Sequence, residues 1–469
     1  MKLLFFLLLP VMVRAQVLID TVIQLPARVR NCIYLPSVNK LYIGSENCLV
    51  VVDRATYAVS TIPTGDDYNE PNCYSFAWNW RRDKLYVLPQ AYDTILAIDV
   101  RADSIVSRIP WVGRAQAYAS GRDCLYGTEW GNLVVIDCAT DSIIKTIPPN
   151  PIDHSGSVWW DSVGNKVYTH GGYNYPHTEQ AYSCYNDSLV AVFDPGVQYP
   201  IFMASCPEHR LTCYTDNSFG PARLPFLDTE RDSVVRILSI EAIYEVALNR
   251  AQHKFYAIGE YVESHQIRDT IFAISCDGCS VVAKVPFPDF FASTLCWTPW
   301  SNRIYTVGWP DDDSTAQLRV IDCRMDSVIV GIDLPPFPRD VVADTVNQCV
   351  YVPCESDSCL YVFRDVPPGV VETLAAITPA VSFSVSPNPA EDHVTINASV
   401  PASVHAVLAV YDAAGRHVRT LDCAETEPRA LQARWDCTDG RSRVAPGVYV
   451  IKLDAGTTHI SRKVALTGR

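Results

Sequence analysis

A short phrase that recurs along most of the chain constrains its fold more than any other feature. In each copy a basic or polar residue, an aliphatic residue and a tyrosine open a short apolar stretch. Neighbouring copies lie 40 to 49 residues apart. Self-similarity at this period predicts stacked units that share a core. The clear copies begin at Lys40, Lys84, Cys124, Lys166, Lys254, Arg303 and Cys349, and a weaker copy is Arg210-Leu211-Thr212.

Tight turns separate the apolar stretches inside each unit. The second stretch usually closes on aspartate, as in Leu133 to Asp137. The turns Asp99 to Ser104 and Asp137 to Ser142 are built alike, and their Asp and Ser side chains can bond the local backbone. A calcium loop needs alternating carboxylates and a central glycine, which these turns lack. About four short strands per unit are typical of a β-propeller blade, so we predict an all-β chain.

The residues of the repeat resemble those of a known protein family. Phrases such as Lys84-Leu85-Tyr86-Val87 and Ser104-Ile105-Val106-Ser107-Arg108-Ile109-Pro110 are similar to those of YVTN-type β-propellers, which are exported surface proteins of bacteria and archaea. The resemblance implies a propeller over residues 16–366. The eight copies favour eight blades, and seven remain possible if the unit at residues 197–245 is not a full sheet. A propeller fold by itself says little about function.

The two ends of the repeat region predict how the ring closes. Residues 17–26 read like the outermost strand of a blade and match residues 142–148. The last unit, which ends near residue 365, lacks such a strand. We therefore expect the first strand to complete the last blade, which removes an open sheet edge.

The N-terminus has the features of an export signal. Lys2 precedes an apolar run from Leu3 to Val13, and small residues favour cleavage after Ala15. We predict that residues 1–15 form a signal peptide. Because the run is too short to span a bilayer and no longer one follows, we expect no transmembrane segment and a secreted or cell-surface protein.

The C-terminal residues follow a different pattern. A Pro-rich linker at 367–382 precedes residues 383–469, which we predict to form a small Ig-like β-sandwich. The phrases Tyr411-Asp412-Ala413-Ala414-Gly415-Arg416 and Ala445-Pro446-Gly447-Val448-Tyr449-Val450 resemble the type IX secretion sorting domain and the flagellar hook-cap module. The resemblance implies that the secretion machinery is a partner. An Ig-like module without a sorting role is the alternative.

The net charge and the cysteine content limit which binding partners and which cysteine chemistry we expect of this chain. The formal net charge is -14, without a basic stripe, so a nucleic-acid partner is not expected. Export permits disulfides among the 17 cysteines. Cys276 and Cys279 form the only CxxC, which favours a turn disulfide or two free thiols over a metal site. Hairpin spacing predicts the disulfides Cys124–Cys138, Cys423–Cys437 and Cys354–Cys359.

No common catalytic motif is present, so any active site would be dispersed. Strand connections that are long in this chain crowd one face of the propeller, and the segment from His170 to His177 is the richest in Tyr, His, Gly and Asn. We predict a ligand-binding surface there, without catalytic residues, metal or cofactor.

The preferred function is a non-catalytic protein- or glycan-binding scaffold. A lyase-like or quinoprotein-like propeller enzyme stays open. The candidate binding residues are His154, His170, Tyr173, Tyr175 and His177.

Overall fold

The computed structural model contains two compact units that divide near residue 370. It describes residues 17–467 except 47, 66–74, 89–93, 111–112, 130, 149–156, 171–177, 198–199, 217–222, 264–265, 288–289, 311–314, 366–381, 387–388, 400–405, 414, 422–423, 428–429, 441 and 456–457. The predicted signal peptide, residues 1–15, lies outside this description. No helix that could cross a membrane occurs in the described part of the chain.

The first unit is a β-propeller whose described strands form eight four-stranded antiparallel sheets. The chain enters through β1 (Val17–Gln24), which belongs to the last blade. The next sixteen strands make the first four blades. Blade 1 contains β2 (Val29–Leu35), β3 (Lys40–Ser45), β4 (Cys48–Asp53) and β5 (Val59–Pro63); blade 2 contains β6 (Ser75–Asn79), β7 (Lys84–Leu88), β8 (Thr94–Asp99) and β9 (Ser104–Pro110); blade 3 contains β10 (Gly113–Ala119), β11 (Cys124–Glu129), β12 (Asn132–Asp137) and β13 (Ser142–Ile147); blade 4 contains β14 (Val158–Asp161), β15 (Lys166–His170), β16 (Glu179–Ser183) and β17 (Leu189–Phe193).

The remaining four blades follow the same order. Blade 5 contains β18 (Pro200–Cys206), a short 3₁₀ turn (Pro207–His209), β19 (Leu211–Asp216), β20 (Arg223–Asp228) and β21 (Ser233–Ser239); blade 6 contains β22 (Glu241–Asn249), β23 (Lys254–Glu263), β24 (Gln266–Ser275) and β25 (Ser280–Phe287); blade 7 contains β26 (Phe290–Thr298), β27 (Arg303–Pro310), β28 (Ala316–Asp322) and β29 (Ser327–Leu334); blade 8 contains β30 (Val342–Asp344), β31 (Cys349–Cys354), β32 (Cys359–Asp365) and β1.

The eight-bladed ring closes as the sequence predicts. Strand β1 pairs antiparallel with β32, with Val17 opposite Asp365 and Gln24 opposite Cys359. The Leu25 amide adds a 2.8 Å hydrogen bond to the Ser358 carbonyl. The unit at residues 197–245 contains a full sheet, which excludes the seven-bladed alternative. Its copy of the repeat is shifted by one residue, because Leu211 pairs with Cys206 as Lys40 pairs with Leu35.

Burial explains why these sequences form blades. The second and third strands of a blade pack against neighbouring blades on both faces, and their central residues are buried, as in β7 and β8. Outer strands face solvent, and β13 is exposed over all but its last residue. Strands buried on both faces read as continuous apolar runs rather than as alternating ones.

The two faces of the propeller differ in the length of their connections. Every turn from a first to a second strand has four residues, and most turns from a third to a fourth strand have four, so these turns form a uniform short-turn face. The residue before each second strand has a left-handed backbone, as at Asn39 (φ 53°) and His253 (φ 50°), a conformation that Asn, Asp and His tolerate. The other connections form the long-loop face, where 64–74 and 148–157 are much longer.

The second unit is a small β-sandwich. Its core contains Val394, Ile396 and Trp435 from one sheet and Ile451 and Val464 from the other, so both sheets share one apolar centre. One sheet has the order β33 (Ser382–Ser386), β34 (Val394–Ser399), β38 (Ala430–Trp435) and β37 (Ala424–Glu427), and the other has β36 (His417–Leu421), β35 (Ala406–Asp412), β39 (Gly447–Ala455) and β40 (Thr458–Leu466).

The cysteines differ from the predicted pairing. Cys124 and Cys138 are both free thiols. Cys124 pairs with Asp137, so Cys138 is one residue further along and points to the opposite face of the sheet, where it packs towards blade 2. The Cys124–Cys138 disulfide stays a prediction, and the placement of the two side chains on opposite faces does not favour it.

The other two predicted disulfides have different outcomes. Cys354 and Cys359 lie directly opposite each other on β31 and β32 and are free, and their disulfide stays a prediction. The Cys423–Cys437 pairing cannot be followed, because Cys423 lies outside the described residues.

Candidate functional site

Of the predicted binding residues, the structure describes only the backbone of His170. His154, Tyr173, Tyr175 and His177 lie outside the described residues. His170 is the last residue of β15, and its backbone pairs with Glu179 at the start of β16. The end of β15 and the start of β16 therefore lie at the long-loop face.

A buried carboxyl group lies at the start of β16. Glu179 is 1% exposed, and the Tyr214 hydroxyl of blade 5 donates a 2.7 Å hydrogen bond to its Oε2. Burial raises the pKa of Glu179 to about 8, although the Tyr214 hydrogen bond acts in the opposite direction. The group therefore keeps its proton at neutral pH and holds blades 4 and 5 together rather than serving as an exposed base.

Most blade junctions share a set of charged and polar contacts that the repeat phrase supplies. Between blades 2 and 3, Lys84 Nζ and the Tyr86 hydroxyl each lie 2.7 Å from an Asp141 oxygen. Asp141 is the last residue of the turn between the third and fourth strands of blade 3. Equivalent contacts join Lys40 and Tyr42 to Asp103, Arg122 and Tyr126 to Asp187, Lys166 and Tyr168 to Asp232, and Lys254 and Tyr256 to Asp326.

The junction of blades 5 and 6 departs from this arrangement. The register places Leu211 where Lys84 stands and Cys213 where Tyr86 stands. Cys279 occupies the position of Asp141 and has the same left-handed backbone. The cation, the hydroxyl and the carboxylate of the usual contact are thus all missing from this junction.

A cluster of thiols and imidazoles lies at the short-turn face of the same junction. Cys206 ends β18, His209 follows in the 3₁₀ turn, and His253 ends the turn between β22 and β23. One ligand atom of each residue lies within 4.8 Å of the others. The two imidazole rings are 4.8 Å apart between centroids and inclined by 68°.

Further groups surround this cluster. Cys276 follows β24, and the interaction of its thiol with that of Cys206 lowers the pKa of Cys206 and raises that of Cys276. His209 Nδ1 lies 3.3 Å from Asp277 Oδ1. The Nδ1 atom of His253 is buried and has no hydrogen-bond partner among the described residues. The arrangement can hold a cation that prefers sulfur and nitrogen.

Sequence reasoning missed this cluster, since it considered only the CxxC at Cys276. The Cys206-Pro207-Glu208-His209 spacing was a usable signal, and it falls in the unit whose repeat phrase is degenerate. His253 gave no signal, because only the packing of two blades brings it to Cys206.

Comparisons with known proteins support the fold and the C-terminal domain. Residues 384–467 match the family described as "Secretion system C-terminal sorting domain". No curated protein sequence matches the chain. A structure described as "Structure of Dos1 propeller" is 13% identical, with a TM-score of 0.56, and covers 75% of this chain and 94% of that chain. BamB from Moraxella catarrhalis is 10% identical, with a TM-score of 0.52, over 74% of this chain and 100% of that chain.

These matches support the propeller fold and the sorting role of the C-terminal domain. Structural similarity at such low identity shows the propeller fold alone. The sorting-domain match indicates that the chain is exported and that its C-terminal domain interacts with secretion machinery.

Proposed function

We propose that this chain is a non-catalytic propeller that binds a protein or glycan outside the cell and is carried there by the type IX secretion machinery. The match of residues 384–467 to the sorting-domain family carries the proposal. Residues 1–15 direct the first export step and are removed after Ala15. Residues 383–469 then serve the second step, across the outer membrane.

The two propeller faces support a binding role for the long-loop face. The short-turn face is uniform because its turns follow the repeat, whereas loops on the opposite face depart from the repeat length. Long loops in a compact repeat are usually functional. Tyr173, Tyr175 and His177, with His154 and His170 in the same blade, supply aromatic area and directional hydrogen bonds suited to glycan or protein surfaces.

Export is tested by removing the C-terminal domain. A chain that ends at Asp365 should fold, since the ring closes through β1 and β32 without residues 366–469. It should accumulate in the periplasm of a host with the type IX system, while the full chain reaches the surface. Surface labelling and fractionation measure this. A shortened chain that still reaches the surface contradicts the proposal.

Ligand binding is tested on an array of immobilised glycans and on purified surface proteins of the same host. The Tyr173→Ala, Tyr175→Ala and His177→Ala triple variant should lose binding while its unfolding midpoint stays nearly unchanged. Tyr185→Ala is the matched control, because Tyr185 is 79% exposed in a turn of the same blade on the short-turn face. Equal binding by the triple variant, or a large loss of stability, rejects the assignment.

A further inference from the structure

The cluster of Cys206, His209 and His253 and the neighbouring Cys276 together offer four ligands of the types that zinc prefers. Cys206 and Cys276 supply sulfur, and His209 and His253 supply ring nitrogen. Structural zinc sites are tetrahedral and commonly use two cysteines and two histidines. Two thiolates would neutralise the ion, which suits a site beside the apolar core that contains Cys206, Cys213, Cys276 and Cys279.

The geometry needs little adjustment to accept the ion. Bond lengths of about 2.3 Å to sulfur and 2.0–2.1 Å to nitrogen place tetrahedral ligand atoms roughly 3.3–3.8 Å apart. The ligand atoms of Cys206, His209 and His253 already lie within 4.8 Å of one another. A contraction of about 1 Å therefore brings these three atoms to the required spacing.

The surroundings of the imidazoles agree with a metal role. A carboxylate on one ring nitrogen fixes the tautomer and leaves the other nitrogen for the metal. Asp277 Oδ1, 3.3 Å from His209 Nδ1, provides this contact. For His253 the buried Nδ1 atom without a partner is the ligand atom, because a buried polar atom normally has a partner.

The repeat shows that Cys206, His209 and His253 are substitutions, whereas a cysteine also occupies the position of Cys276 in blades 3 and 7. Between blades 2 and 3 the same four positions hold Asn79, Arg82, Asp123 and Cys138. There the Asn79 amide and Arg82 Nε donate hydrogen bonds of 3.0 and 2.5 Å to Asp123.

At the junction of blades 5 and 6 each of these positions holds a cysteine or a histidine. This junction also lacks the Lys and Tyr contacts to Asp. We propose that Cys206, His209, His253 and Cys276 bind one Zn²⁺ ion, which joins blade 5 to blade 6 in place of the missing contacts.

Zinc content of the purified full chain tests the proposal. Protein dialysed against Zn²⁺ and then against metal-free buffer should retain one zinc per chain, measured by inductively coupled plasma mass spectrometry. Binding of Co²⁺ instead should give the visible absorption of a tetrahedral thiolate site. Because both cysteines lose protons on binding, weakly buffered protein should release up to two protons per ion.

The site can be removed by substituting residues that occupy the same positions at another blade junction, and such variants should keep the fold. Cys206→Asn and His253→Asn together recreate the pair Asn249 and Asn302, whose side chains are 2.8 Å apart at the junction of blades 6 and 7. The left-handed position of His253 accepts Asn, as Asn302 shows. The double variant should fold and lose all bound zinc. Cys276→Ala should lower zinc affinity at least tenfold.

Cys323→Ala is the control for Cys276→Ala, because Cys323 holds the same position in blade 7 and its amide likewise bonds to the residue before a second strand. It should retain one zinc. Zinc in the double variant, or less than 0.2 zinc per chain in the wild type under about 10 µM free Zn²⁺, overturns the proposal. A Cys206–Cys276 disulfide in unreduced peptides, with no zinc, also overturns it.

Discussion

The junction of blades 2 and 3 and the junction of blades 5 and 6 have the same backbone and different chemistry. At the first junction, Asp141 accepts hydrogen bonds from Lys84 and Tyr86. Asp123 accepts hydrogen bonds from Asn79 and Arg82. The second has thiols, imidazoles and apolar side chains at all the corresponding positions. The comparison teaches that the repeat prescribes where blades touch, while the residues at those positions can be replaced as a set.

Zinc removal should change the free energy of unfolding more than any other perturbation of these two junctions. A ligand present at 100 to 1,000 times its Kd stabilises the folded state by about 3–4 kcal/mol. Chelation should therefore lower the free energy of unfolding of the wild-type chain by that amount in chemical denaturation. The Cys206→Asn, His253→Asn variant should not respond to the chelator. An equal response of both chains would place the metal elsewhere.

Breaking the charged junction should have the next largest effect. In Asp141→Ala, Lys84 and Tyr86 lose their carboxylate in a largely buried place, where the Lys84 side chain is 18% exposed. We expect a loss of about 2–3 kcal/mol, since unpaired buried polar groups are costly. Cys279→Ala at the corresponding position should cost less than about 1 kcal/mol, because no ion pair is lost there. Urea unfolding curves measure both, and similar losses would show that the carboxylate contact contributes little.

The junction of blades 4 and 5 should respond to alkaline pH. The folded pKa of Glu179 is raised to about 8 from an ordinary value of 4.5, so the folded chain binds the proton more tightly than the unfolded chain. The resulting stability is complete below about pH 4.5 and is lost as the pH rises towards 8.

Between pH 6 and pH 9 the free energy of unfolding should fall by about 3 kcal/mol through this group. Glu179→Gln, which keeps an acceptor for Tyr214, should remove that dependence. Unfolding curves across this pH range test it, and an unchanged slope in Glu179→Gln would assign the dependence to other groups.

Much of the fold could be predicted from the sequence, because the information is local and repeated. The Lys-Leu-Tyr phrase marked the second strand of most blades, and the match of residues 17–26 to 142–148 predicted ring closure. The fifth unit was misaligned by one residue, since Leu211-Thr212-Cys213 has neither the cation nor the tyrosine of the phrase.

Contacts that depend on packing could not be predicted in this way. The spacing of Cys124 and Cys138 suggested a disulfide, but a one-residue offset sends alternate side chains to opposite faces. Cys206, His253 and Cys276 are distant in sequence and meet only through the stacking of two blades. The binding residues His154, Tyr173, Tyr175 and His177 stay a prediction that the ligand-binding experiment tests.

Anomalous diffraction from crystals of the full chain, measured above and below the zinc absorption edge, tests the proposed zinc site most directly. We expect one anomalous peak at the junction of blades 5 and 6, about 2.3 Å from the sulfurs of Cys206 and Cys276 and about 2.0–2.1 Å from nitrogens of His209 and His253. Continuous density between the two sulfurs without an anomalous peak, or a peak at another junction, would contradict it.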